Sequence, residues 1–192
     1  IEQYNGAESR YVNDYLRHRA GDHGCYPGMG KDIHNFYENT TRTLSSAFTP
    51  ENTNKKPIHT WSGVPSDVGE KLMTGGKGKH HNIAGFTSTS TSKVTADSFG
   101  HQAAAADGRK DIHVVHYNLS KGTGLSVAAR SKYPENEVIL HHGAKIEYHA
   151  TDTHITPDDS KTVHVHHVTV HPDHMPIEKY GDVHPKYMKE KN

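Results

Sequence analysis

The feature that most constrains this chain is the series of short apolar segments that begins at Asp111. DIHVVHYNL, GLSVA, NEVILHH, AKIEYHA and TVHVHHVTV follow one another, separated by turn residues, and each reads as a strand. Strands in this number need a cover for at least one face, and the first part of the chain supplies it. In AESRYVNDYLRHRAG, Val12 and Leu16 are four apart, as are Tyr11 and Tyr15, which gives a helix with one apolar face. A second helix is predicted from about Asp32 to Ala47, with Ile33, Phe36, Tyr37, Leu44, Ala47 and Phe48 near helical spacing. Between the halves, PIHTWSGV predicts a strand ending at Gly63, and SDVGEKLM a short helix capped by Ser66 or Asp67. TGGKGKHHN predicts a flexible loop, NIAGFTSTSTS a strand running into a hydroxyl-rich turn, and Thr95 to Ala105 an alanine-rich helix. The expected fold is α+β, helices first and then mostly antiparallel strands. It reads as one domain over 1–192: a helical part over 1–56, a β-rich core over 57–172 and an irregular, proline-containing tail over 173–192.

Charge excludes some partners. Lysine plus arginine number 22 and aspartate plus glutamate 22, so there is no net field to draw the chain to nucleic acid or an anionic membrane. The single cysteine, Cys25, excludes an intrachain disulfide. Neither a signal peptide nor an apolar run of bilayer length is visible. The 19 histidines stand out. His164 and His166 share a strand face at a spacing able to hold a metal, and Asp158, Asp159 and Asp173 lie near them. The adjacent pairs His80-His81 and His141-His142 point to opposite sides if extended. Histidines are spread along the whole chain, so they read as a compositional habit, and no metal is expected.

Three stretches carry candidate chemistry: TWSGVP, GFTSTSTS and YPENEVIL. The first, alone, is an ordinary strand end, and the second an ordinary turn before a helix. The third is more pointed. Residues two apart on a strand face the same side, so Glu135 and Glu137 set two carboxylates together, where they repel. A fold tolerates that more readily when a cation or a reaction occupies the space between them. A solvated sheet edge is the plain alternative.

Taken together and in this order, the three stretches resemble the arginine-specific mono-ADP-ribosyltransferases, a family that includes bacterial toxins and bacteriophage transferases. Its pattern is a strand with Arg-Gly, a strand with an aromatic residue then Ser-Thr-Ser, and a loop leading into Glu-x-Glu. Here the second element is Phe86, Thr87, Ser88, Thr89, Ser90 and the third is Glu135, Asn136, Glu137. Tyr4 and the run Val12-Asn13-Asp14-Tyr15-Leu16-Arg17 look like the family's helical lobe. The resemblance implies an ADP-ribosyltransferase-like fold with a two-sheet β core. It implies NAD as the substrate and an accessible arginine on a target protein as the acceptor.

By the same resemblance, Glu137 stabilises the sugar cation left by nicotinamide and Ser88 orients it. Thr89 and Ser90 shape the pocket floor, and Gly63 offers backbone groups to the nicotinamide amide. Trp61, Ser62 and Phe86 complete the NAD-binding set. Glu135 holds the incoming guanidinium, and Tyr133 touches the target protein. Ser62 stands where the family has arginine, so another basic residue is expected to serve the site, with Arg109, Lys93 and Arg42 as candidates. A monomer is expected, acting in bacterial cytoplasm or as a secreted effector in a host cytosol. The competing readings are an NAD glycohydrolase, a catalytically silent NAD- or protein-binding domain, and a histidine-rich metal-binding β domain.

Overall fold

The computed structural model describes residues 7–127, 136–158 and 160–189. Helices α1 (Ala7–Arg19) and α2 (Lys31–Ser45) come first, followed by β1 (Ile58–Val64), α3 (Ser66–Met73), β2 (His80–Asn82), β3 (Thr87–Ser90) and α4 (Lys93–Ala106). Strands β4 (Asp111–Leu119), β5 (Gly124–Ser126), β6 (Glu137–Leu140), β7 (Ala144–Ile155) and β8 (Thr162–His174) complete the sheet. The α+β class and the mostly antiparallel pairing are as expected. Among the described residues, β4 and β8 alone run parallel.

The expected two sheets are joined into one, ordered β2-β7-β8-β4-β1-β3-β6-β5. The join is narrow. Strands β1 and β3 meet only at Trp61↔Ser90, whereas β1 and β4 pair along all of β1, from Ile58↔Leu119 to Val64↔His113. Two well-paired blocks thus share a seam where the ladder has almost no width, and side chains on either side of it are free to line a cleft.

Alternation along the strands explains how the helices attach. Ile112, Val114, Val163 and Val165 bury against Ala96 and Ala104 of α4. Val115, Tyr117, Val168 and Val170 belong to a second core with Leu72 of α3. Adjacent strand residues point to opposite faces, so α3 and α4 cover opposite sides of the sheet. The doublet His166-His167 is where β8 switches: its valines serve the α4 face before the doublet and the α3 face after it. Helices α1 and α2 pack Val12, Tyr15, Leu16, Tyr37 and Leu44 against Phe86, Leu125 and Ile139 of the β3-β6-β5 block.

Three expectations are corrected. The end of the segment expected to be loop, His80–Asn82, forms edge strand β2 on β7, with His80↔Glu147 and Asn82↔Lys145 paired. Strand β7 continues through the polar residues Thr151–Ile155, because β8 pairs with it as far as Ile155↔Thr162. The tail is less irregular than its prolines suggest. Strand β8 runs through Pro172 to His174, and short 3-10 turns follow at Ile177–Lys179 and Pro185–Tyr187. Pro172 is accommodated because its parallel neighbour β4 ends at Leu119↔Val170 and the register with β7 is irregular there, so the missing N–H breaks no regular ladder.

Candidate active site

The seam holds a cavity of about 750 Å³ lined by Trp61, Ser62, Gly63, Ser88, Thr89, Ser90 and Glu137. Three sequence stretches that lie far apart in the chain therefore converge on one cleft. Registers Trp61↔Ser90 and Ser90↔Glu137 place these three residues in a row across β1, β3 and β6, on one face of the sheet. Ser9 of α1 and Thr95, Ala96, Phe99, Gln102 and Ala103 of α4 supply the remaining lining. The spacing of Thr95, Phe99 and Gln102 marks one face of a helix, a signal that the sequence carries although the motifs do not point to it. Nothing near Ser9 in the sequence announces its position.

Local interactions hold the row in place. Thr89 is 4% exposed, and its hydroxyl donates to the Val138 carbonyl at 2.7 Å, locking β3 to β6 beside Glu137. The Ser90 hydroxyl accepts from the Ser92 backbone N–H at 3.0 Å, and Ser92 caps α4 by accepting from the Thr95 N–H at 3.4 Å. The hydroxyl-rich run thus turns the chain from β3 into the cleft-lining helix. On the opposite strand, Asn136 has φ of 43°, a left-handed conformation that asparagine tolerates better than most residues. Its carbonyl accepts from the Thr91 N–H at 3.3 Å, which fixes the entry into β6 immediately before Glu137.

Helix α1 is clipped to the same block. Asn13 accepts from the Phe86 N–H at 2.8 Å and donates to the Phe86 carbonyl at 3.0 Å. A side chain on Gly85 would come within 2.6 Å of the Asn13 carbonyl oxygen, so glycine there admits the clip. Asn13, one of the residues of the helical-lobe pattern, thereby docks the helical part onto the strand that carries Ser88 and Ser90.

Several expected site residues fall elsewhere. Phe86 does not line the cleft; it is 2% exposed and packs in the core near Phe48 and His141, with ring centroids 6.3 and 5.8 Å away. Ser88 does line the cleft, but it is exposed and pairs with Ile139, so the register sets Ser90, not Ser88, opposite Glu137. Glu135 and Tyr133 lie outside the described residues. None of the three basic candidates reaches the cleft. Arg109 pairs with Glu70 at 3.0 Å, Lys93 with Asp97 at 4.0 Å, and Arg42 with Glu38 at 2.8 Å and Glu178 at 2.6 Å. Among the described residues, Glu137 is the one charged side chain lining the cavity. Trp61 stacks on His116 at 5.1 Å and 20° between ring planes, which makes one wall of the cleft rigid and flat.

Gly63 has a packing reason of its own. A Cβ there would stand 2.1 Å from the Gly100 nitrogen and 2.5 Å from the Ala96 carbonyl oxygen, both backbone atoms of α4. The glycine lets α4 lie against β1, which closes the cleft wall. Gly63→Ala must push a helix off a central strand, and the expected loss is on the order of 3 kcal/mol, read as a lowered urea midpoint.

A second cavity, of about 570 Å³, lies among Arg42, Phe48, His141, His142, His174 and Glu178 and contains no residue of the three motifs.

Comparison with known proteins agrees with this geometry. The family model described as ADP-ribosyltransferase exoenzyme matches residues 1–170. No curated protein gives a significant sequence match. Among solved structures, the chain superposes on the ADP-ribosyltransferase Vis of Vibrio splendidus in complex with agmatine with a TM-score of 0.60, at 18% identity over 88% of this chain and 71% of that one. The ADP-ribosyltransferase toxin Plx2a of Paenibacillus larvae gives 0.59 at 18% identity over 89% and 83%. The ADP-ribosylating toxin BECa of C. perfringens, solved with NADH, gives 0.61 at 16% identity over 88% and 42%. At such identities the structural likeness establishes the fold, and the family match, spanning most of the sequence, establishes the lineage: the chain belongs to the ADP-ribosyltransferase exoenzyme family.

Proposed function

We propose that this chain transfers ADP-ribose from NAD to arginine side chains of a target protein, releasing nicotinamide. The observation that carries the proposal is the seam cavity in which Glu137 is the one charged lining group among the described residues. Its volume suits a small-molecule ligand. Departure of nicotinamide from the ribose leaves an oxocarbenium-like sugar, and a fixed carboxylate in a cleft stabilises that positive charge as it develops. The stacked Trp61 offers a flat face to a planar ring, while the exposed Ser88 offers a hydroxyl to ribose or amide oxygens. Thr89 acts by holding Glu137's strand, since its hydroxyl is committed to Val138.

The choice of arginine rests on Glu135, two residues before Glu137. A guanidinium is cationic, and a second carboxylate both holds it and accepts its proton. The agmatine bound to Vis carries the same guanidinium group, which supports this reading of the acceptor. Incubation of the chain with labelled NAD and agmatine is expected to place label on agmatine. Free ADP-ribose as the sole labelled product would mean that water is the acceptor, and no product at all would mean a silent binding domain.

The glycohydrolase reading draws support from one observation. No lysine or arginine among the described residues lines the cavity, so NAD phosphates have fewer cationic anchors there than the family pattern provides. Ser62→Arg tests this directly. The variant is expected to keep its activity and bind NAD as tightly as wild type or tighter, measured by KM for NAD, because a guanidinium gives phosphate a two-pronged partner. Lost activity in a folded variant would assign Ser62 a role in the cleft's shape instead.

A further inference from the structure

A cluster at the far end of the sheet from the cleft has the geometry of a metal site. His80 on β2, Glu147 on β7 and His171 on β8 bring one ligand atom each within 4.8 Å of one another. His80 Nε2 stands 3.5 Å from Glu147 Oε1, and His171 Nε2 stands 3.4 Å from the same oxygen. These separations decide between two interpretations. An N–H donating to a carboxylate lies at about 2.7–3.2 Å, so both contacts are long for hydrogen bonds. Zinc with ligand bonds of about 2.0–2.1 Å in tetrahedral geometry sets its ligands about 3.3–3.4 Å apart, close to what is seen.

Two further observations point inward. His171 Nε2 is buried and makes no hydrogen bond, although it faces the carboxylate. Glu147's other oxygen, Oε2, is 3.5 Å from His149 Nδ1, and His149 Nε2 is in turn 2.6 Å from the Thr169 hydroxyl. Glu147 thus turns one oxygen to the two histidines, while its other oxygen faces an imidazole that Thr169 fixes and that a small shift would bring into hydrogen-bond range, the outer shell a ligating carboxylate uses. The registers His80↔Glu147 and Glu147↔Thr169 show why the residues meet. They lie across three neighbouring strands, on the face opposite the Ile146, Val168 and Val170 core. Two imidazoles and one carboxylate are a donor set that suits zinc.

We infer that His80, Glu147 and His171 form a site for a divalent transition metal, zinc by its donor set, that pins the three-residue edge strand β2 to β7 and β8. The role is structural. The site lies at the opposite end of the sheet order from β3 and β6 and shares no residue with the cleft. It also gives a reason for β2 to form after the glycine-rich stretch 74–79, which alone would leave that edge loosely held.

The test is metal content after dialysis of zinc-loaded full-length chain, together with thermal melting with and without zinc. Wild type is expected to retain one more equivalent of zinc than either Glu147→Gln or His171→Gln, and to melt several degrees higher with zinc than without. His154→Gln, an exposed histidine outside the cluster, is expected to retain zinc like wild type. Metal-free melting of the variants, close to that of metal-free wild type, separates loss of metal from loss of fold. Equal zinc retention in wild type and both cluster variants, or no retained zinc in wild type, overturns the site.

Discussion

Glu137→Ala is expected to lower both NAD cleavage and transfer to agmatine by about 10²–10³-fold, the scale on which a fixed electrostatic group acts on a developing charge. Glu135→Ala is expected to keep much of its NAD cleavage and lose transfer. The difference follows from what each carboxylate meets. Glu137 is set by the Ser90 register and the Thr89–Val138 bond beside the flat Trp61 wall, and the proposed mechanism puts the ribose C1 there. On the proposed mechanism Glu135 serves only the acceptor, so without it the sugar cation is expected still to form and water to take it. Assays with labelled NAD, scoring nicotinamide release and labelled agmatine in the same reaction, separate the two. Parallel loss of both activities in both variants would refute the division of labour. Glu137→Ala leaves a smaller, uncharged group at a half-buried strand end, so its melting temperature is expected to stay near that of wild type.

How much of the fold and the cleft is legible in the sequence depends on how local each signal is. Helices α1 and α2 are readable because Val12, Leu16, Tyr37 and Leu44 repeat at a spacing that needs no partner to interpret. Glu137, Ser88 and Ser90 are readable as a set because the motif order carries them, and the seam then brings them together. Strand β2 is not readable, since HHN has no apolar alternation and becomes a strand only where β7 offers its edge. The polar end of β7 is a strand for the same reason: Thr151 and Thr153 gain partners in His166 and His164 that lie more than ten residues away. Phe86 reads as a pocket residue because it precedes Ser-Thr-Ser. Its real partner, Asn13, is 73 residues distant, and that clip turns its ring into the core. Arg42, Arg109 and Lys93 are visible as cations, and so are the carboxylates one helical turn from two of them, Glu38 and Asp97. The distant partners, Glu178 for Arg42 and Glu70 for Arg109, are not.

Acidification is expected to unfold this protein between about pH 6.5 and pH 4, with three buried histidines as the main cause. His141, His142 and His166 are 9%, 3% and 0% exposed. Burial pushes His141 and His166 down to about 4 and His142 to about 3. Neighbouring imidazoles add to the effect: His113 Nδ1 lies 2.9 Å from His166 Nε2, and the His141 and His174 ring centroids are 3.9 Å apart. In the folded state these rings stay neutral below the ordinary histidine value near 6.5, while in the unfolded chain they take up protons there. The unfolded state therefore binds more protons throughout the window, so stability is fully present above about pH 6.5 and falls as pH falls. For a ring lowered to about 4, the loss by pH 4 is on the order of 3 kcal/mol. Three such losses approach the whole stability of an ordinary domain, about 5–15 kcal/mol. The measurement is far-UV circular dichroism against pH, with the urea midpoint followed in parallel. His166→Asn, which removes the deepest of the three protonation sites, is expected to flatten the slope between pH 6.5 and 4. A slope equal to that of wild type would mean that acid enters the structure elsewhere. The clusters sit on β4, β8 and the β6–β7 turn, outside the lining of the cleft. Activity at mildly acid pH is therefore expected to fall in step with the folded fraction, ahead of any change in KM for NAD.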